Sequence, residues 1–382
     1  MRRLASLAAS AVLLAAGCST IDKLNPFSSS DPKLKPAELV PIQATENLRP
    51  VWQASVGSAG EFSFLPAVQG ASVYAAARDG TVARFERGAA VWRVNAGQPV
   101  SGGVGADAQR VVVGTPKGEV IAFEAATGKE VWRTRVSSEV LAPPVVADGL
   151  VVVRSGDSRI FGFEAADGRR RWVYQRSTPS LSLRSAVGVA VEGRYTLAGF
   201  PGGKLVALAN NNGAAVWEVS VALPKGATEL ERVADVTSNP VAVGSLVCAA
   251  AFQGRVSCFD AGNGSTLWSR EISSSAGIDV DTRYVYVTDD KGGVNAYDRN
   301  SGASVWRQDK LFLRGVTRPL ALGSVIAVAD YQGVVHLLRR EDGAFVGRAT
   351  TDGSAVRGSL TVLPDGFLAQ TASGGLYALS MR

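Results

Sequence analysis

Few side chains in this sequence are equipped for covalent chemistry, and its three cysteines come first. Cys18 closes the stretch Leu14-Ala15-Ala16-Gly17-Cys18, after an uncharged run from Leu4 to Ala16 that follows Arg2 and Arg3. A positive start, an apolar run too short to span a bilayer, and small residues before a thiol describe an export signal cleaved to leave a cysteine for acylation. Cys248 and Cys258 fall in expected neighbouring strands. A three-residue turn at Phe252-Gln253-Gly254 sets them opposite each other, as a disulfide in an oxidising compartment or as two buried thiols. The one histidine, His336, sits in the apolar segment Val334 to Leu338 and reads as structural. Aspartates such as Asp167 and Asp342 occupy turns, where backbone hydrogen bonding accounts for them. These residues give no catalytic constellation, no metal site and no cofactor site. The chain reads as a non-enzyme.

The stretch ending in Cys18 resembles the bacterial lipobox, with Ala15 where Leu is commoner and Ser19 favouring export to the outer membrane. Residues 1–17 are then the signal and Cys18 the lipidated N-terminus, two or more acyl chains giving stable anchoring. Residues 18–49, broken by Pro26, Pro32, Pro36 and Pro41 and by Ser28-Ser29-Ser30, read as a flexible tether. Some 30 residues of this kind reach roughly 30 Å on average and about 100 Å when stretched. The formal charge of +6 falls by two when Arg2 and Arg3 leave, and no Lys/Arg run stands out, so nucleic acid is not an expected partner.

The element that must carry any site is a repeat. Gly, alternating apolar residues, a polar turn with Gly and then Trp recur, as in KGEVIAFEAATGKEVWRTRV from Lys117 and QGRVSCFDAGNGSTLWSREI from Gln253. All seven tryptophans belong to it: Trp52, Trp92, Trp132, Trp172, Trp217, Trp268 and Trp306, with Gly347 in the eighth place. A period near 40 with short Gly-bounded strands indicates propeller blades, each of four antiparallel strands. Trp52 lacks a preceding Gly strand, and the segment from Ser373 lacks a following Trp strand. The two half-repeats complete one blade. The fold class is therefore all-β, an eight-bladed β-propeller over 50–382, its ring closed by pairing of N- and C-terminal strands. Closure also covers sheet edges, and the Trp rings fill the spaces between sheets.

The Trp spacing expands after Trp172 and after Trp217, which places extra residues near 176–186 and 222–238. Both insertions join consecutive blades on one face, so they form a contiguous patch. Leu181 and Leu183 offer apolar surface and Arg184 a charged fork, with Asp235 available to pair it. An apolar pair beside an arginine suits a binding hot spot. Inward strand leucines and a solvated rim arginine are the other reading of the same residues.

The repeat resembles the quinoprotein (PQQ) propeller repeat, and with its lipoprotein signal the chain over residues 18–382 is similar to the BamB family. TPSLSLRS from Thr178 and ELERVADVTSNPV from Glu229 resemble that family's partner-contact segments. The resemblance implies partner contacts at Leu181, Leu183, Arg184, Asp235 and Thr237, the last standing where the family usually has an acidic residue. It implies an outer-membrane lipoprotein facing the periplasm, bound to the POTRA domains of a BamA-type barrel-assembly protein and aiding outer-membrane protein insertion. Nascent outer-membrane proteins, held by strand addition, are a further implied partner. A PQQ-dependent dehydrogenase is the rival reading, and it needs a Ca²⁺ cage, a base and a quinone pocket. An envelope propeller lipoprotein with another ligand, such as a polysaccharide, shares every fold feature.

Overall fold

The structure, a computed structural model, describes residues 35–381. Short runs of alternating apolar residues between Gly-containing turns give eight separate four-stranded antiparallel sheets. Seven are built from consecutive chain: blade 1 over 67–95, blade 2 over 102–135, blade 3 over 145–174, blade 4 over 189–220, blade 5 over 241–271, blade 6 over 277–308 and blade 7 over 320–350. Blade 8 joins strands Thr361–Leu363, Gly366–Gln370 and Gly375–Met381 to strand Leu48–Ser55, which lies outermost. Its register runs from Leu48 opposite Met381 to Ser55 opposite Gly375, so the two half-repeats do complete one blade.

The core is distributed around the ring. Each of eight apolar clusters draws its residues from two adjacent blades, including one that joins blade 8 to blade 1. No sheet can bury its faces alone, so cohesion between neighbours is the source of stability. The tryptophans make that cohesion specific. Each indole from Trp92 to Trp306 donates Nε1–H to a carbonyl in the turn of the next blade, as Trp132 does to Ala165 at 3.0 Å and Trp306 to Arg340 at 2.8 Å. A glycine of the same turn lies against the indole. A Cβ on Gly168 would come within 2.7 Å of Trp132, and the φ of +73° there also selects glycine.

Closure leaves lateral edges open, contrary to the expectation that it would cover them. A blade has two edge strands, and joining the termini pairs only those termini. Among the described residues, the outermost strand of every blade keeps one unpaired side. A β-bulge next to each Trp position, and Pro50 in the outer strand of blade 8, twist and blunt those edges.

The packed body also begins earlier than the tether expectation allows, at Ala37 instead of residue 50. The Ala37 N–H donates to the Phe312 carbonyl, and the N–H groups of Thr45 and Glu46 share the Val346 carbonyl. Arg314 and Arg348 donate to the carbonyls of Ala37 and Val40, each at 2.9 Å. This strap has no regular secondary structure, so arginines and strand carbonyls satisfy its backbone groups instead. Sequence periodicity cannot register such an arrangement. The signal segment and Cys18 lie outside the described residues.

Cys248 and Cys258 are opposed in register and joined by a disulfide.

Candidate partner-binding site

The two longest connections between blades are 175–188, from blade 3 to blade 4, and 221–240, from blade 4 to blade 5. They flank blade 4 on one face and meet through a single carboxylate. Asp235 Oδ2 accepts the Leu183 N–H at 2.7 Å, and its Oδ1 accepts the Gly202 N–H, in the turn between the second and third strands of blade 4, at 3.0 Å. Both insertions and the blade between them are thereby tied at one point. The Asp235 backbone carbonyl takes the Phe252 N–H at 2.8 Å, which extends the tie to blade 5.

Arg154 lies close enough for its charge to couple to Asp235. Burial pulls its guanidinium down to about 10, with Asp235 acting in the opposite direction. Arg154 remains a cation at neutral pH and supplies a counter-charge beneath the loops. Its Nη1 donates to the Gly199 carbonyl, and its guanidinium lies 5.3 Å from the Phe200 ring centroid.

Above this base Leu181 and Leu183 are 39% and 40% exposed, which excludes the reading of both as inward strand residues. Arg184 stands mostly in solvent, but its planar fork is fixed: Nε and Nη2 donate to the two oxygens of Glu139 at 2.8 and 2.7 Å. The Glu139 hydrogen bonds raise the Arg184 pKa above its ordinary value. The pairing of Arg184 with Asp235 expected from sequence is not made. Asp235 is only 3% exposed and already holds two backbone donors, so it positions the loop and does not present charge. Thr237 is also buried, and its hydroxyl donates to the Ser274 carbonyl at 3.2 Å.

Sequence reasoning missed three members of this surface. Glu139 comes from the connection between blades 2 and 3, where no change of length flags it. Leu223 and Leu230, in the second insertion, are 64% and 72% exposed. Their segment is held by Glu231, whose Oε2 accepts the N–H groups of Ala227 and Thr228. The insertion length marked the loop, but no period there showed which leucines would face outward. Among the described residues no cluster of His, Cys, Asp and Glu could hold a metal ion.

The ring and its two enlarged connections define a quinoprotein-repeat propeller with an exposed loop patch on one face. The family profile described as "Outer membrane protein assembly factor BamB" matches residues 78–308 and 291–382. A Bordetella pertussis protein of that name is 42% identical over 96% of this chain and 94% of its own length. One from Burkholderia pseudomallei is 40% identical over 98% and 97%. The crystal structure of BamB from Moraxella catarrhalis superposes with a TM-score of 0.82 at 31% identity, over 87% of this chain and all of that one. This chain belongs to the BamB family of outer membrane protein assembly factors. A quinohemoprotein alcohol dehydrogenase from Comamonas testosteroni, TM-score 0.69 at 14% identity, shares the fold alone.

Proposed function

We propose that this protein is a non-enzymatic scaffold of outer-membrane β-barrel assembly. Lipid on Cys18 anchors it to the outer membrane, facing the periplasm. The patch of 175–188 and 221–240 docks onto the periplasmic POTRA region of a BamA-type barrel-assembly protein. The observation that carries the reading is Leu181 and Leu183 held outward on a loop pinned by Asp235, beside an Arg184 fork pre-set by Glu139. Apolar anchors beside a pre-oriented arginine lose little side-chain entropy on binding. The body begins at Ala37, bonded to the connection between blades 6 and 7, on the face that also bears the patch.

Affinity capture from detergent-solubilised envelopes tests the docking. The parent chain is expected to retain the barrel-assembly protein, and Leu183→Ala combined with Arg184→Ala to lose it with an unchanged circular dichroism spectrum. Undiminished capture by the double variant overturns the assignment. Radiolabelled palmitate incorporation, lost in Cys18→Ser, tests the anchor.

A further inference from the structure

We propose that the mouth of the central channel is a ligand site for an acidic saccharide, adjoining the docking patch and sharing with it the ends of both long connections. Connections between successive blades converge there around a cavity of about 690 Å³, within the size range of small-molecule sites. Serine and threonine hydroxyls dominate its polar wall, joined by Asn239, Tyr331, Arg318 and Arg357, and none of the described residues lining it is Asp or Glu.

Three features of the wall point to the ligand. The first is Ser238. It is more than nine-tenths buried, it lines the cavity, and its hydroxyl has no hydrogen-bond partner among the described residues. Buried hydroxyls are nearly always bonded, and leaving one unmade costs free energy. The hydroxyl oxygen is itself occluded, so a polar ligand atom removes that cost once the side chain rotates toward the cavity. Beside it the Asn239 Oδ1 accepts the Gly188 N–H at 2.7 Å, which turns the amide so that its Nδ2 is left to donate elsewhere.

The second feature is charge. Arg318 is neutralised by Asp279 at 2.9 Å. Arg357 donates to the Gly60 carbonyl and has no carboxylate partner among the described residues. The mouth therefore carries one uncompensated guanidinium in a wall free of carboxylates, the setting for a ligand carboxylate. The third is Tyr331, partly exposed, with the Arg314 guanidinium 5.1 Å from its ring centroid. An aromatic surface beside a field of hydroxyls accommodates the C–H face of a sugar ring while its hydroxyls are bonded. An extended peptide would instead need a free strand edge or apolar side-chain pockets, and this wall is made of hydroxyl-bearing connections.

Titration of the full-length chain in detergent with tri-galacturonate, and with neutral maltotriose, followed by saturation-transfer NMR and calorimetry, tests this. Saturable binding of the acidic trisaccharide is expected, weakened about tenfold for the neutral sugar and for Arg357→Gln. Ser238→Ala is expected to weaken binding while leaving the melting temperature of the ligand-free chain unchanged or higher, because it deletes an unpartnered hydroxyl. A purely structural role for Ser238 would lower that temperature. No saturable binding of tri-galacturonate, equal binding of the two sugars, or binding untouched by both substitutions overturns the proposal. The measurement uses the chain without any assembly partner, so its failure is separate from failure of the docking.

Discussion

The Leu183 N–H and the Asp235 Oδ2 meet at 2.7 Å although 52 residues separate them in the chain. Asp235 therefore acts on the proposed docking surface through Leu183. Asp235→Asn replaces one carboxylate oxygen with an amide donor, so either Leu183 N–H or Gly202 N–H is left facing a donor. An unpaired buried amide costs about 1–3 kcal/mol, against a loop with few other ties. The expected result is faster amide hydrogen exchange across 175–188 and partner capture reduced as far as in Leu183→Ala, with the far-ultraviolet spectrum unchanged. Unaltered exchange would refute the positioning role.

Glu139 fixes the Arg184 fork, so its removal should matter although nothing places it against a partner. Glu139→Ala frees the guanidinium to sample many rotamers, and partner capture is expected to fall by several-fold with no loss of thermal stability, since exposed pairs contribute little to folding. Exchanging the two residues, Glu139→Arg with Arg184→Glu, keeps the internal pair but reverses the charge shown to solvent. Capture by the exchanged protein should remain lost, and its recovery would mean that only loop rigidity matters.

Blade 7 departs from the tryptophan rule at Gly347, and the strap occupies the corresponding space. A Cβ at that position would lie 3.1 Å from the Glu46 carbonyl oxygen and 3.0 Å from the Leu337 side chain. The seam that other blades close with an indole is closed here by backbone, through the paired N–H donors of Thr45 and Glu46 on Val346. Gly347→Trp, which would restore the repeat on paper, is expected to expel the strap. Overpacking of this kind costs about 1–3 kcal/mol, and limited proteolysis is expected to cut within residues 37–47 in the variant and to spare them in the parent chain. An uncut strap in the variant would show that the indole can be accommodated beside it.

Trp and Gly fixed the ring in the sequence because their roles are local and repeated. An indole fills each inter-blade space, and a glycine must stand opposite it, so both recur at the repeat period. The split blade was equally legible from the complementary halves at Trp52 and Ser373. The loop patch was legible in part, since insertions interrupt that same period and mark the place. The partners of its side chains were not legible. Arg184 and Glu139 lie in different connections between blades, and only the ring geometry brings them together. Asp235 looked like an exposed charge, and its burial depends on two backbone donors that composition does not reveal. The strap from Ala37 was hidden for the same reason, because its hydrogen bonds run to arginines about 280 and 310 positions away in the chain.

His336 ties the strap to blade 7 through its protonation state. The ring is fully buried, with Nε2 3.2 Å from Asp330 Oδ2 and Nδ1 accepting Arg348 Nε at 3.2 Å. The acceptor role at Nδ1 requires a neutral imidazole with its proton on Nε2. Burial lowers the His336 pKa below 6.5, Asp330 works against that shift, and Arg348 and Arg314 add to it. Asp330, bonded by His336 and Arg314, is held below the ordinary carboxylate range and stays ionised. With the folded pKa below the unfolded one, the stabilisation is complete above about pH 6.5 and is lost as pH falls toward the folded value, with a slope of up to about 1.4 kcal/mol per pH unit. Protonation would also set Nδ1–H against the Arg348 guanidinium, whose other arm holds the Val40 carbonyl of the strap. His336→Gln can still donate to Asp330 and accept from Arg348 without titrating. Urea midpoints measured from pH 7.5 to 5 should therefore decline for the parent and stay nearly level for the variant. Parallel curves would place the acid sensitivity of this ring elsewhere.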